Sequence, residues 1–257
     1  MGFNGVRIHQ KVECQRFLYF ADKMGLLVFG EIGNAFDYSF FYATEMYKEW
    51  IENVTQNYNH PCIVAWVPLN ESWGIPNAEH NAMEAAHIRT MYELTKSLDN
   101  TRLVIDNDGW DHVQTDLCTI HDYEKDPSVF AARYANIDSI LSYKPEGNAL
   151  YIENHEYCGE PILLTEFGGV SISSTDQSEK DWGYSQYNSK EELFEHLREI
   201  FNVLKRSPNL CGYCYTQFTD IEYEKNGLLS YDRTPKLKIE KIAELNAGIG
   251  EAHNLND

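Results

Sequence analysis

Two runs of this 257-residue sequence end an apolar stretch on a glutamate: Pro68-Leu69-Asn70-Glu71-Ser72-Trp73 and Leu164-Thr165-Glu166-Phe167-Gly168-Gly169. Two carboxyl groups facing one another across a pocket are the equipment for cleaving a glycosidic bond. One protonates the departing oxygen, the other attacks the anomeric carbon, and the first then activates water. A strand-end glutamate standing alone is more simply a cap or an ion-pair partner. The pair gains chemical meaning only if the fold gathers strand ends at one face.

The elements around them meet that condition. Strand-like apolar runs cover Gly5–His9, Leu26–Glu31, Cys62–Asn70, Arg102–Asn107, Leu117–His121, Ile162–Glu166 and Cys211–Phe218. They are rich in Val, Ile, Leu and aromatics, as strands buried on both faces should be. Helix-like stretches alternate with them at Gln15–Met24, Tyr38–Tyr58, Asn77–Leu98, Pro127–Leu141, Ser189–Lys205 and Lys236–Ala247. Ser189-Lys-Glu-Glu192 reads as a capping box. Alternation of this kind predicts parallel βαβ units. With no G-x-G-x-x-G and no P-loop pattern, an α/β (β/α)8 TIM barrel is favoured, and its strand C-termini build one active-site face. Seven strand-like runs are visible and the first opens the chain, so the first βα unit is expected to be missing. One domain is expected over residues 1–250, with a polar tail at 251–257.

Composition narrows the partners. The balance of 21 Lys+Arg against 40 Asp+Glu gives a net charge of −19, which argues against nucleic acid or an anionic membrane. No apolar run is long enough to span a bilayer, and the N-terminus lacks a secretory layout. Six cysteines are too sparse for a disulfide scaffold, so a cytoplasmic location is expected, with Cys62, Cys118, Cys211 and Cys214 buried on strands.

The stretch Asn59-His60-Pro61-Cys62-Ile63-Val64-Ala65-Trp66 through Asn70-Glu71-Ser72 resembles the acid/base signature of glycoside hydrolase family 2, which includes β-galactosidases, β-glucuronidases and β-mannosidases. Gly2-Phe3-Asn4-Gly5-Val6-Arg7 with His9, and Ala21 to Val28 with Glu31, resemble that family's second and third barrel strands. Ile162–Gly169 is similar to its nucleophile strand, and Cys211–Lys236 to its eighth strand and final turn. The resemblance implies a retaining exo-β-glycosidase, β-galactosidase type favoured, with Glu71 as acid/base and Glu166 as nucleophile. The alternative is a catalytically silent barrel fragment or sugar-binding remnant. Family members also carry β-sandwich domains ahead of the barrel, which are not visible here.

Supporting residues follow from the same alignment. Arg7 is expected near the nucleophile, or in an ordinary ion pair. Asn70 is expected on the sugar 2-hydroxyl. His9, His121 and Tyr123 end strands at the mouth, and Tyr123 is placed to hydrogen-bond Glu166. Asn107 and Trp110 would offer a polar group and an aromatic plane to a sugar. The segment 167–188 reads as a substrate lid or, equally, a surface loop. His80, Glu84 and His87 lack metalloprotease spacing, and catalysis is expected to need no metal or cofactor.

Two departures stand out. The family's eighth-strand tryptophan is matched by Thr216, with Gln217 or Phe218 to compensate. The asparagine-x-lysine pair by which glucuronidases hold a carboxylate is not evident in Glu224-Lys225-Asn226-Gly227, which counts against a uronic acid. A carbohydrate is the expected partner, and unpaired barrel edges invite a homo-oligomer.

Overall fold

The computed structural model of the protein describes residues 1–172 and 180–247. The expected tail at 251–257 and the stretch 173–179 of the expected lid lie outside the described residues. No helix among the described residues is long and apolar enough to cross a membrane. The chain divides into two compact units, one of residues 4–121 and 144–165, the other of 1–3, 122–143 and 166–257.

The first unit is built on a parallel sheet in the order β1 (Gly5–Arg7), β2 (Leu27–Glu31), β3 (Ile63–Val67), β4 (Leu103–Val104). Helix α1 (Gln15–Met24) buries Leu18 and Ala21 and stops at Gly25, whose φ of 73° is natural only for a residue without Cβ. Helix α2 (Phe40–Asn57) starts where Ser39 caps the Tyr42 N–H, and buries Ala43, Met46, Trp50 and Val54 along one face. Trp50 meets Trp66 edge-on at 5.9 Å, and each indole N–H finds a buried acceptor: Thr95 Oγ1 at 2.7 Å and Asp99 Oδ2 at 3.0 Å.

Helix α3 (Ala82–Leu98) begins five residues later than the sequence suggests. Glu84 accepts from the Asn77 N–H at 2.6 Å and from Asn81 Nδ2 at 2.8 Å, holding 77–81 as a turn that Asn81 closes as the cap. Strand β4 is shorter than expected because Asp106 turns the chain, accepting from the Val113 and Gln114 N–H groups. Strand β5 (Cys118–Asp122) starts beside the beginning of β6 (Ile162–Gly168), with Cys118 N donating to Pro161 O at 3.0 Å.

In the second unit the expected helix 127–141 is two. Helix α4 (Pro127–Arg133) ends at Tyr134, and Asn136 restarts α5 (Ile137–Leu141) by capping the Ser139 N–H. The segment after Glu166 carries a parallel pair, β7 (Val170–Ile172) with β8 (Ser185–Tyr187), which periodicity did not show. Helix α6 (Lys190–Arg206) opens on the expected Ser189 cap at 3.1 Å, and Glu192 reaches back to the Asn188 N–H at 3.0 Å. Strand β9 (Leu210–Thr216) and helix α7 (Ile239–Asn246) follow among the described residues. Phe167, Phe201, Tyr213 and Tyr215 pack edge-to-face at the centre of this unit. Cys62 and Cys118 are buried as expected, whereas Cys211 is exposed and Cys214 half-buried.

Candidate active site

Glu71 sits on a turn that ordinary residues avoid. Its φ is 50° and that of Ser72 is 56°, two consecutive non-glycine residues in left-handed space. Each such residue costs on the order of 1–3 kcal/mol and persists only when its surroundings over-determine it. They do. Glu71 N donates to Asp108 O at 2.9 Å, and Ser72 N donates to Asn107 Oδ1 at 3.1 Å. Ser72 Oγ donates to Asp111 Oδ2 at 2.7 Å and accepts from Asn107 Nδ2 at 3.0 Å. Asn107 also donates to Trp110 O at 2.8 Å and has no exposed surface. Its amide therefore shapes the turn, where the sequence reading gave it to the sugar. Trp110 is also buried, its ring edge-on to His121 at 5.8 Å, as a wall behind that histidine and not an open platform.

Behind the turn lies a buried charge cluster. Arg7 Nε is 2.5 Å from Glu31 Oε1 and 2.6 Å from Asp108 Oδ2, with the three side chains 5%, 1% and 0% exposed. Arg7 also donates to Asn70 Oδ1 and lies 3.5 Å from His9 Nδ1. His9 itself is exposed. Burial alone would raise the Asp108 carboxyl, but Arg7 and His121 hold it well below the usual carboxylate range. His121 Nδ1 is 2.7 Å from Glu71 Oε1 and its Nε2 is 3.2 Å from Asp108 Oδ2. Asn70 is fixed through its backbone N–H to Asn34 Oδ1 at 3.0 Å, yet its buried Nδ2 has no partner among the described residues.

In the second unit Tyr123 donates its hydroxyl to Glu166 Oε2, as the sequence suggested. Burial and the adjacent Glu166 charge raise the Tyr123 hydroxyl, so it remains a donor. Tyr123 stacks flat on Tyr184, centroids 3.4 Å apart, and Trp182 meets Tyr184 edge-on at 5.6 Å. The segment bearing them is clasped by backbone bonds, Trp182 N to Tyr223 O and Lys225 N to Trp182 O, both 2.8 Å. Glu224 lies in that clasp and takes a 3.0 Å bond from Asn226 Nδ2, while Gln217 holds Asn226 Oδ1 at 2.7 Å. Burial pushes the Glu224 carboxyl up; the Asn226 amide pulls it partly back and the charge of Glu166 adds to the rise. Phe218 is exposed, whereas Gln217 is engaged with Asn226.

Sequence reasoning missed Glu31, Asp108 and the aromatic pair Phe36 and Trp73. That pair is 77% and 40% exposed, with ring centroids 5.3 Å apart, and Trp73 follows Glu71 by two positions. An acidic residue closing an apolar strand was the available signal for Glu31, as it was for Glu71. The helical trio does not converge either. His87 is buried with its Nδ1 on the Tyr47 hydroxyl, Glu84 holds Asn77 and Asn81, and His80 is exposed.

Solved structures share this fold. They include the GH2 beta-galacturonidase from Eisenbergiella tayi bound to galacturonate, with TM-score 0.73, 20% identity, and coverage of 95% of this chain and 45% of that one. The beta-D-glucuronidase of Dictyoglomus thermophilum gives 0.72 at 19% identity, over 96% of this chain and 45% of that one. The Bifidobacterium dentium beta-glucuronidase gives 0.71 at 20%, over 95% and 41%. The chain thus spans less than half the length of each. No curated protein sequence matches it. Residues 1–250 match the family model described as glycosyl hydrolases family 2, TIM barrel domain, in agreement with the motifs around Glu71 and Glu166, and the chain belongs to that family.

Proposed function

We propose that this chain is the catalytic barrel of a retaining exo-β-glycosidase that works by double displacement, with Glu71 as acid/base and Glu166 as nucleophile. The observation that carries the reading is the braced, left-handed turn at Glu71, with the unpartnered Asn70 amide one residue before it. In the first step a Glu166 oxygen bonds to the anomeric carbon while the glycosidic bond breaks, and Glu71 gives its proton to the leaving oxygen. In the second step water attacks the same carbon, Glu71 takes the water proton, and Glu166 leaves as a carboxylate. Double displacement works with carboxyl groups about 5–5.5 Å apart. Tyr123, donating to Glu166, orients the nucleophile and supports it as a leaving group. Asn70 Nδ2 would hold the sugar 2-hydroxyl, a bond that tightens in an oxocarbenium-like transition state.

For the substrate we favour a neutral sugar, β-galactosides first. The stretch Glu224-Lys225-Asn226-Gly227 supports this choice, because it lacks the asparagine-x-lysine pair by which glucuronidases hold a carboxylate. A uronic acid is the second reading, since the solved structures of similar fold are named as galacturonidases and glucuronidases. A silent barrel is the third, given the share of those proteins that the chain spans. The test is intact mass and peptide mapping after incubation with 2-deoxy-2-fluoro β-galactoside, glucoside, mannoside, glucuronide and galacturonide. An adduct on Glu166 from a neutral sugar is expected. Fastest labelling by a uronide would overturn the substrate choice, and labelling of any other residue would overturn the nucleophile.

A further inference from the structure

His121 Nδ1 and Glu71 Oε1 lie 2.7 Å apart, close enough for one proton to sit between them. We infer that Asp108 and His121 position a proton shared with the Glu71 carboxyl, keeping the acid/base loaded before the glycosidic bond breaks. This rests on the reading of Glu71 as acid/base, and it concerns residues of one unit only.

The argument starts at Asp108. Its carboxylate has no exposed surface, faces Arg7 Nε at 2.6 Å and accepts from Thr165 Oγ1 at 2.7 Å. An ionised carboxylate can only accept, and His121 Nε2 meets it at 3.2 Å as an ion-pair contact outside hydrogen-bond geometry, so the negative charge favours a hydrogen on that nitrogen. The tautomer is thereby set by the second partner of the ring. His121 Nδ1 then faces Glu71 Oε1 at 2.7 Å. If neither atom held a hydrogen, two lone pairs would oppose each other at hydrogen-bonding distance. One proton therefore lies between them, as a carboxylic acid beside a neutral ring or as a carboxylate beside an imidazolium. In both forms the pair as a whole carries the proton.

The surroundings fix the ring in that pose. Gly109 has a φ of 105°, and a Cβ there would lie 2.8 Å from His121 Nδ1. Trp110 closes the other side edge-on. Charged groups facing the ring here include Glu71 and Asp108, with Arg7 and Glu31 one contact further out.

The proton count closes over the reaction. On glycosylation the shared proton passes from Glu71 to the glycosidic oxygen as the C–O bond breaks. Glu71 is left a carboxylate opposite the bare Nδ1 of a neutral His121. That opposition favours recapture of a proton, and the attacking water supplies it in the second step. His121 and Asp108 are positioning residues, since neither needs to touch the sugar.

The experiment uses the full chain and two readouts. In the wild-type protein, 15N NMR of the imidazoles, assigned with His121→Gln, should show Nε2 of His121 protonated throughout the neutral range. Its Nδ1 should report a strong hydrogen bond. An Nδ1–H ring with bare Nε2 would overturn the proposal whether or not the protein turns over. In kinetics, with the sugar that labels fastest, His121→Gln should lose about 10²-fold or more on phenyl glycosides. It should lose at least about tenfold less on 2,4-dinitrophenyl glycosides, whose leaving group needs no proton. Its alkaline limb should move to lower pH. Equal losses on both substrates with an unmoved limb would sink the shared proton. The acid/base reading is tested separately by Glu71→Ala with azide. Restored turnover of the dinitrophenyl glycoside and a β-glycosyl azide product support it, and their absence overturns it.

Discussion

Ser72 and Asn107 hold each other by two hydrogen bonds, the serine N–H to the asparagine carbonyl and the asparagine amide to the serine hydroxyl. This reciprocal bond keeps Glu71 in left-handed space. Asn107→Asp removes the donor half and leaves Ser72 Oγ and Trp110 O short of a partner. We expect a stability loss of about 1–3 kcal/mol in urea unfolding, with a fall in kcat greater than the change in KM. Wild-type kcat in Asn107→Asp would show that the turn holds without it.

Arg7 neutralises two buried carboxylates at once. Arg7→Met removes the cation that both carboxylates share, and removing one partner of a buried ion pair costs about 3–5 kcal/mol. Arg7→Lys keeps the charge but not the fork that also reaches Asn70, so it should recover stability only in part. Chemical denaturation of the two variants is the measurement. Equal stability of Arg7→Met and wild type would mean that Glu31 or Asp108 is protonated.

Tyr123→Phe removes the hydroxyl that supports Glu166 while leaving the ring to stack on Tyr184. A hydrogen bond to a charged acceptor contributes about 1.5–3 kcal/mol, so turnover should fall about 10–100-fold. Pre-steady-state kinetics should place much of the loss in release of the glycosyl-enzyme. A loss confined to KM would move the hydroxyl from the nucleophile to the substrate.

Burial depresses His87 and His196 from 6.5 to about 4 in the folded protein. The unfolded chain then binds more protons between those values, so stability is full above pH 6.5 and falls as pH drops toward 4. Each ring contributes up to about 3 kcal/mol. His112 acts oppositely: burial would lower it, but Asp106 raises it, so its contribution is present at low pH and fades as pH rises. The test is therefore a difference. Unfolding free energy of His87→Gln should drop less than wild type between pH 6.5 and 4, and parallel curves would refute the assignment.

Much of this was legible in the sequence. Helix α1 was read to the residue because Leu18 and Ala21 repeat on one face and Gly25 ends it. The hydrogen bond from Tyr123 to Glu166 was legible because both residues close apolar strands. What stayed hidden depends on contacts distant in sequence. Asn107 looked like a sugar ligand until Ser72 and Trp110 were seen to occupy its amide. Asp108 went unread, since neither Arg7 nor His121 is its neighbour in the chain. The β7–β8 pair was missed because three-residue strands carry too little alternation to read.

The braced turn also bears on how the protein is made. A ribosome releases Glu71 well before the residues that support it, since Asn107, Asp108 and Asp111 come much later in the chain. Until they arrive, nothing holds Glu71 and Ser72 away from ordinary backbone space. A nascent chain paused before Asn107 would therefore carry the glutamate on an unbraced backbone. The turn would close only after the downstream segment had been synthesised and had docked.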